Sequence, residues 1–452
     1  LRKRTTASTV ALLKLSPEEY LLKVNAKTRE ASGKPGFVNQ FSYNYNKQMM
    51  KKYLMPFILL TVSFYAGAQT KKEFVTGDVV TINSKIVEEK RTVWVYNPNN
   101  TDSKKNRKCP VIYVLDGENH FRSVVAMVEY LSEANIIPPV IVVGILHSNR
   151  MKDLTPTIED AVADIRGENS GGGKKFMAFI KNELFPAIES KYSTAPYRIL
   201  MGHSVGGLTV INTLLHHKEL FNAYVSIDAS LWWDKHKLLK ESKTVLAADS
   251  YVDKKLFLAI ANRMEKGVDT SAVQKDTTEN TELIRYNLEL IRSIKNNPQN
   301  QLYFDDKYYA DDNHRSVSFI SEYDALRFIF DYYKFDLYSS YLDNESVRLD
   351  SLLDVHYKNV SKQLGYNLMA SEDFVNGLAY HSLNTKQFSK AKYLFKMNVV
   401  NYPESGNAFD SLGDCYRETG DTTNAIKCYT KALAIKETPE TRKKLKLLQS
   451  GT

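Results

Sequence analysis

The chain reads as an α/β protein, a mostly parallel sheet with helices on both faces, followed by an all-α C-terminal region. Three observations predict this. Short, wholly apolar runs at residues 111–115, 140–145 and 256–261 alternate with helical stretches, the pattern of strands buried on both faces. Past Tyr333 the strand pattern stops and helical periodicity continues to the end. Within that tail, Leu378 and Leu412, Ala391 and Ala425, and Phe395 and Tyr429 are each 34 residues apart.

Taken in order, residues 74–95 alternate apolar and polar side chains, Val79, Thr81 and Asn83 and then Thr92, Trp94 and Tyr96, which predicts two antiparallel strands. A buried strand follows at 111–115 and ends in Asp116-Gly117; a helix is expected from about Arg122 to Ala134. After Pro138-Pro139 comes the strand 140–145. A single long helix is expected over 174–192, with Phe176, Phe179, Ile180, Leu184 and Ile188 on one face. Residues 197–201 form the next short apolar run, and Leu208, Ile211, Leu214 and Leu215 then recur at helical spacing. Further strands are expected at 224–227, 256–261 and 302–309, and a helix from about Ser316.

The 34-residue offset is the tetratricopeptide period. The second copy, residues 409–432, carries Leu412-Gly413, Tyr416, Gly420-Asp421, Ala425 and Ala432 of that consensus, and Pro403 closes the first, which has Ala379 in place of the usual glycine. So few hairpins stack poorly alone, so they are expected to dock on the α/β domain with help from a helix around residues 351–363. The expected organisation is an α/β domain at 69–335, a helical connector at 336–370 and tetratricopeptide-like repeats at 371–446.

The net charge of the 452 residues is +9, but its placement excludes a polyanion partner. Residues 1–48 hold +6 and Lys51 with Lys52 two more, leaving about +1 for residues 69–452. No nucleic-acid partner is expected. Met49-Met50-Lys51-Lys52, an apolar run at 53–65 and Ala66-Gly67-Ala68 form the three parts of a secretory signal peptide at 49–68. Cleavage is expected after Ala68, no stable membrane span then remains, and the destination is periplasmic or secreted. Residues 1–48 are expected to be upstream sequence or a non-native extension. Cys109, Cys415 and Cys428 are too few and too scattered for a disulfide framework, and neither a metal nor a cofactor is expected.

Chemistry concentrates at Gly202-His203-Ser204-Val205-Gly206, the G-x-S-x-G pattern of a nucleophile elbow, set where an apolar strand gives way to a helix. A strand that turns at once into a helix strains the residue between them and needs small flanking residues. A serine hydroxyl is a poor nucleophile at neutral pH, so a base must take its proton, a task suited to histidine. His314, just beyond the last strand, is the expected base. His203 occupies the variable elbow position, His216 and His217 end a helix, and His120, His147 and His236 precede or miss the required place. The acid is expected in the loop after strand 256–261, with Glu265 preferred, Asp269 the alternative and Asp276 further along the same loop. Of the two oxyanion donors, one is the backbone N–H of Val205; the other is expected from the turn at Gly117, at the N–H of Glu118.

Leu115-Asp-Gly117, Asn149-Arg-Met-Lys-Asp153-Leu-Thr-Pro156, Gly171-Gly-Gly173, Gly202-His-Ser-Val-Gly-Gly207, Ser230-Leu-Trp-Trp-Asp234 and Asp312-Asn-His314 occur in an order that resembles the esterase D and enterochelin-esterase-like branch of the α/β-hydrolases. The resemblance covers about residues 74–333. It implies hydrolysis of a carboxylic ester, with siderophore lactones, acylated sugars, feruloyl esters and S-formylglutathione among the family's substrates, and it carries Ser204, His314 and the oxyanion donors over by motif position. The acid does not carry over cleanly, because Asn262-Arg-Met-Glu265 departs from the family pattern. Trp232 and Trp233 resemble an aromatic wall beside the substrate, core packing being the other reading. Arg150 is expected to pair with Asp153, the alternative being contact with an anionic substrate. The partners expected are a small-molecule ester and a protein bound by the helical tail. An enzyme that passes its acyl group to an alcohol, and a binding protein on the same fold, are the competing expectations.

Overall fold

The computed structural model describes residues 76–100, 107–159, 169–264, 273–278 and 281–450, all within one compact unit spanning 74–452. The expectations for residues 1–48 and for the signal peptide at 49–68 lie outside the described residues.

Eight strands form one sheet: β1 (Asp78–Ser84), β2 (Glu89–Tyr96), β3 (Cys109–Val114), β4 (Ile141–Ile145), β5 (Thr194–His203), β6 (Ala223–Ile227), β7 (Lys255–Ala261) and β8 (Tyr303–Tyr309). Their order is β1-β2-β4-β3-β5-β6-β7-β8. β1 and β2 pair antiparallel, β2 joins β4 antiparallel, and every pairing from β4 to β8 is parallel. Sequence pattern follows position. The interior strands β3, β4, β6 and β7 are buried at every residue, whereas the edge strands β1 and β8 alternate.

Helices cover both faces. On one lie α1 (Gly117–Glu133), which opens at the end of β3, and α8 (Val317–Ile329), whose Val317, Ala325 and Leu326 pack with Ile112, Ile199 and Val225. On the other lie α3 (Gly173–Phe179), α4 (Phe185–Lys191), α5 (Val205–His216), α6 (Trp233–Ala248) and α7 (Glu282–Lys295), with Phe176, Leu208 and Leu239 in the same core as Tyr113 and Leu200. A short helix α2 (Arg150–Leu154) follows β4.

Two helices differ from expectation. α1 begins five residues before Arg122, directly on Gly117, because the chain reverses at Asp116 in a left-handed conformation (φ 53°, ψ 48°) and needs no connecting loop. The single helix expected over 174–192 is interrupted by a π-helical segment, Ile180–Leu184, in which the N–H of Phe185 reaches back to the carbonyl of Ile180. Pro186 explains it: proline has no N–H to donate, and its ring crowds the carbonyl four residues earlier, so the turn widens.

Beyond β8 and α8 the described chain is helical. α9 (Ser339–Asp343) and α10 (Leu349–Leu364) precede α11 (Glu372–Asn384), α12 (Phe388–Asn401), α13 (Gly406–Glu418), α14 (Thr422–Ile435) and α15 (Pro439–Ser450). The residues at the 34-residue offset occupy corresponding buried sites: Ala391, Phe395, Ala425 and Tyr429 are fully buried, and Leu378 and Leu412 nearly so. α13 and α14 approach closely at Gly413, where a Cβ would meet the Tyr429 ring at 2.6 Å. α10 joins the two parts, with Leu349 and Leu353 in the core of the helical tail and Val360 and Leu364 in the sheet core beside Tyr197 and Phe330.

Candidate active site

β5 delivers the serine. It ends at His203, and α5 starts at Val205, so Ser204 is the whole turn, with φ 61° and ψ −116°. Such a backbone costs about 1–3 kcal/mol and persists only where its surroundings over-determine it. Here the N–H of Ser204 donates to the Ile227 carbonyl at 2.9 Å, while its carbonyl accepts from Leu208 and Ser230, each at 3.0 Å. The glycines permit the close approach: a Cβ on Gly202 would meet the Gly206 carbonyl at 2.5 Å, and one on Gly207 would meet the Ala229 Cα at 3.0 Å.

His314 stands on the loop between β8 and α8, and its Nε2 lies 3.1 Å from Ser204 Oγ. That loop is tied to the end of β7 by Asn262, whose N–H donates to the Asp312 carbonyl and whose Nδ2 donates to the Ala310 carbonyl, both at 2.7 Å. Ser316 closes it with a hydroxyl bond to Asp312 at 2.8 Å.

The carboxylate beside the histidine is Asp228, a residue the sequence reading did not name. Its Oδ2 is 2.5 Å from His314 Nδ1, and its Oδ1 accepts the N–H of Ala261 at 3.2 Å. Asp228 is fully buried and has φ 43°. This carboxylate stands at the end of β6, one strand before the loop in which the acid was expected, and register explains its position. β6 pairs directly with β5, with His203 opposite Ile227, so the next residue on each strand, Ser204 and Asp228, emerge side by side. The preferred acid Glu265 and the alternative Asp269 lie outside the described residues, while Asp276 is engaged with Thr278 and Thr281 at its own turn. One clue to Asp228 was present in the chain: a carboxylate closing a mostly apolar strand is costly to bury unless it has a partner.

Two helices start against the serine. α5 opens at Val205 and α1 at Gly117, and the first N–H groups of a helix have no partner within it. The turn before α1 abuts the elbow: a Cβ on Gly206 would lie 3.4 Å from Asp116 Oδ2 and 3.6 Å from the Leu115 Cβ. Gly117 is equally tight, since a Cβ there would meet the Gly144 backbone at 2.6 Å. The residues expected to supply oxyanion donors, Val205 and Gly117 with Glu118, thus stand on adjoining turns.

Arg150 differs from expectation in its partner. Its Nε and Nη2 donate to the two Asp116 oxygens at 2.6 and 2.8 Å, and Nη2 also reaches the His203 carbonyl at 3.3 Å. Asp153 is already taken, by Arg91 at 2.5 and 2.6 Å and by His147 Nδ1 at 3.0 Å. Burial alone would raise the Asp153 pKa, but the His147 and Arg91 hydrogen bonds outweigh it and hold the group below its ordinary value. The Arg150 side chain is 34% exposed, so it is only partly covered by these partners.

The tryptophans divide. Trp233 is buried and donates from Nε1 to the Thr157 carbonyl at 3.2 Å, a core role. Trp232 is half-buried, 5.7 Å from the Trp233 ring. Ser230, also outside the expected set, places its Oγ 3.2 Å from Ser204 Oγ. His203 packs against His314 with ring centroids 4.5 Å apart and the rings tilted by 41°. Its pKa falls to about 3, chiefly through burial and then through the charge of His314 and His120. Among the described residues no group of three His, Cys, Asp or Glu side chains is arranged to hold a metal ion.

Chemically, the arrangement is a relay. With its proton on Nδ1, donated to Asp228, His314 would turn the Nε2 lone pair to the Ser204 hydroxyl, the tautomer a general base needs.

Comparison with known proteins points the same way. A family model described as "Putative esterase" matches residues 84–322. Ferri-bacillibactin esterase BesA of Bacillus subtilis (strain 168) is 31% identical over 149 residues, which cover 29% of this chain and 52% of the relative; the chain thus spans about half of that relative's length. An IroE-like serine hydrolase from Shewanella oneidensis is 28% identical, with a TM-score of 0.59 over 71% of this chain and 98% of its own. A structure from Capnocytophaga ochracea DSM 7271 is 22% identical, with a TM-score of 0.58 over 82% of this chain and 99% of its own, a share that residues up to Tyr333 alone would not fill. The match therefore includes some residues beyond Tyr333. Since the family model covers more than half of the chain, the chain belongs to this esterase family, on an α/β-hydrolase fold.

Proposed function

We propose that the protein hydrolyses a carboxylic ester through an acyl-enzyme on Ser204. One observation carries the reading: Ser204 Oγ, His314 Nε2 and Nδ1, and Asp228 Oδ2 are joined in sequence at 3.1 and 2.5 Å. In the first half-reaction His314 takes the Ser204 proton as Oγ attacks the ester carbonyl, the N–H groups of Val205 and of the Gly117–Glu118 turn receive the oxyanion, and His314 returns the proton to the leaving alcohol. Water then gives a proton to His314 as its oxygen attacks the acyl carbonyl, the bond from that carbon to Ser204 Oγ breaks, His314 returns the proton to Oγ, and the carboxylic acid is released. Asp228 keeps the imidazole in the right tautomer and stabilises the imidazolium.

Siderophore esters are the first substrates to test, on the strength of the likeness to BesA. The half-buried Trp232 and the partly exposed Arg150 suit an aromatic, anionic ester. Export through the segment 49–68, and a protein partner held by tetratricopeptide-like hairpins of the tail, complete the proposal; no helix among the described residues is long and apolar enough to cross a membrane. The test is turnover of p-nitrophenyl esters and siderophore lactones by the wild type and by Ser204→Ala. The variant is expected to lose about a thousand-fold or more in kcat. Equal turnover by the two would remove Ser204 from the reaction.

A further inference from the structure

We propose that His147 is a positioning residue for the oxyanion turn, holding the N–H groups of Gly117 and Glu118 at the serine through the backbone N–H of Asp116. The inference rests on the esterase reading above.

The observations form an unbroken line of buried contacts. Arg91 on β2 and Asp153 on α2 are each 2% exposed and meet in a two-pronged pair, with the guanidinium seated 5.7 and 5.8 Å from the Phe176 and Phe179 rings. Asp153 Oδ2 takes the Nδ1–H of His147 at 3.0 Å. The His147 side chain is 1% exposed and packs against Phe176 with centroids 5.4 Å apart, so its ring has little freedom to turn. At its other end Nε2 accepts the N–H of Asp116 at 3.3 Å, while the nearer Asp116 carboxylate oxygen stays at 3.9 Å. An N–H pointing at Nε2 requires a lone pair there. Asp153 therefore fixes the tautomer in which Nδ1 donates and Nε2 accepts, in the way a second partner orients a histidine in other sites.

Asp116 is the residue that needs holding. Its left-handed backbone turns the chain from β3 into α1, and the two N–H groups that follow belong to Gly117 and Glu118. Its carboxylate is clamped by Arg150 and its carbonyl accepts from Asn119 and His120. The N–H is the remaining anchor, and His147 supplies its acceptor. A preorganised donor works only if it is already aimed at the developing oxyanion, so loosening this anchor should weaken the transition state and leave ground-state binding alone.

Two variants separate this from a packing role. In His147→Asn the short amide can still bond Asp153 but does not reach Asp116; in His147→Gln the longer amide places an acceptor where Nε2 was. Thermal melts establish that each is folded, and kcat, KM and the inhibition constant of a trifluoromethyl ketone, which loads the oxyanion site, are then measured beside those of the wild type and Ser204→Ala. The expected result for His147→Asn is a kcat about tenfold or more below wild type, an inhibition constant weakened by the same factor and a KM within about twofold. His147→Gln is expected to recover most of that loss. Retention of kcat within twofold by His147→Asn, or equal losses in the two variants, would overturn the proposal. Absence of ester turnover by the wild type would overturn the esterase reading and this inference together, whereas normal turnover abolished by Ser204→Ala leaves the His147 result as a judgement on positioning alone.

Discussion

Asp228 is the residue on which the proposed chemistry turns, and the least visible one in the sequence. Ser204 was legible because its glycine neighbours and its strand-to-helix context are local properties of the chain. His314 was legible from its place after the last strand. The acid depends on which strands are neighbours, and strand order is not written in any short stretch: Asp228 meets His314 across 86 positions of sequence. Asp228→Asn should leave the fold intact and lower kcat by about 10³–10⁴, because an amide favours the wrong tautomer of His314. Glu265→Gln should leave kcat within about twofold. Steady-state kinetics on both variants decides which carboxylate serves.

His203 offers a second test at this scale, with a definite sign. Its folded pKa of about 3 lies below the ordinary 6.5, so between those values the unfolded chain binds a proton that the folded protein does not. Stability due to His203 is therefore present above pH 6.5 and is lost as pH falls towards 3, at no more than about 1.4 kcal/mol per pH unit. His120 has the opposite sign. Burial lowers its pKa, but Glu322, 2.8 Å away, outweighs burial and leaves it raised, so its contribution is present below 6.5 and lost as pH rises through the folded value. Urea midpoints at pH 6.5 and 5.0 span the window, in which His217 and His356, also held below their ordinary value by burial, add with the same sign. His203→Gln should shrink the difference between the two midpoints; an unchanged difference would assign it to other groups.

At the scale of elements, the site is assembled from the ends of four strands and the starts of two helices. β3 leads to the Gly117 turn, β5 to Ser204, β6 to Asp228 and β8 to His314, while α1 and α5 open at Gly117 and Val205. Hydrophobic patterning revealed these strands because the central ones are buried on both faces and read as continuous apolar runs. It did not reveal where α1 starts, since Asp116 adopts a conformation that aspartate tolerates but does not announce, nor the π-helical segment ahead of Pro186. A tight joint in this assembly is Gly117 against Gly144. Gly117→Ala would set a methyl 2.6 Å from the Gly144 backbone, which must move, so α1 and its first N–H groups should shift away from the serine. A stability loss of about 1–3 kcal/mol in urea denaturation is expected, together with a fall in kcat.

Across the whole molecule, the helical tail and the sheet domain share a core through α10. Leu364 is 1% exposed and sits with Val360 in the cluster that also holds Tyr197 and Phe330 of the sheet domain. Gly365 caps the helix with φ 73°, its Cα facing the Pro196 ring closely enough that a Cβ would stand 3.0 Å from it. Leu364→Ala should therefore cost about 2–5 kcal/mol and lower the melting temperature of the sheet domain as well as of the tail. Two separate transitions, with only the tail's displaced, would show that the parts fold independently. The 34-residue offset anticipated the hairpins because it is a repeat within the chain; the docking through Val360 and Leu364 was only partly legible, because a helix pattern does not say against which neighbour its apolar face lies.

The most direct test of the central claim is covalent labelling of the purified protein with a fluorophosphonate, read by intact mass and by peptide mapping. A Ser204 hydroxyl activated by His314 and Asp228 should take up one phosphonyl group at Ser204, none in Ser204→Ala, and much more slowly in Asp228→Asn. A wild-type protein that stays unlabelled, or carries the group elsewhere, would contradict the account.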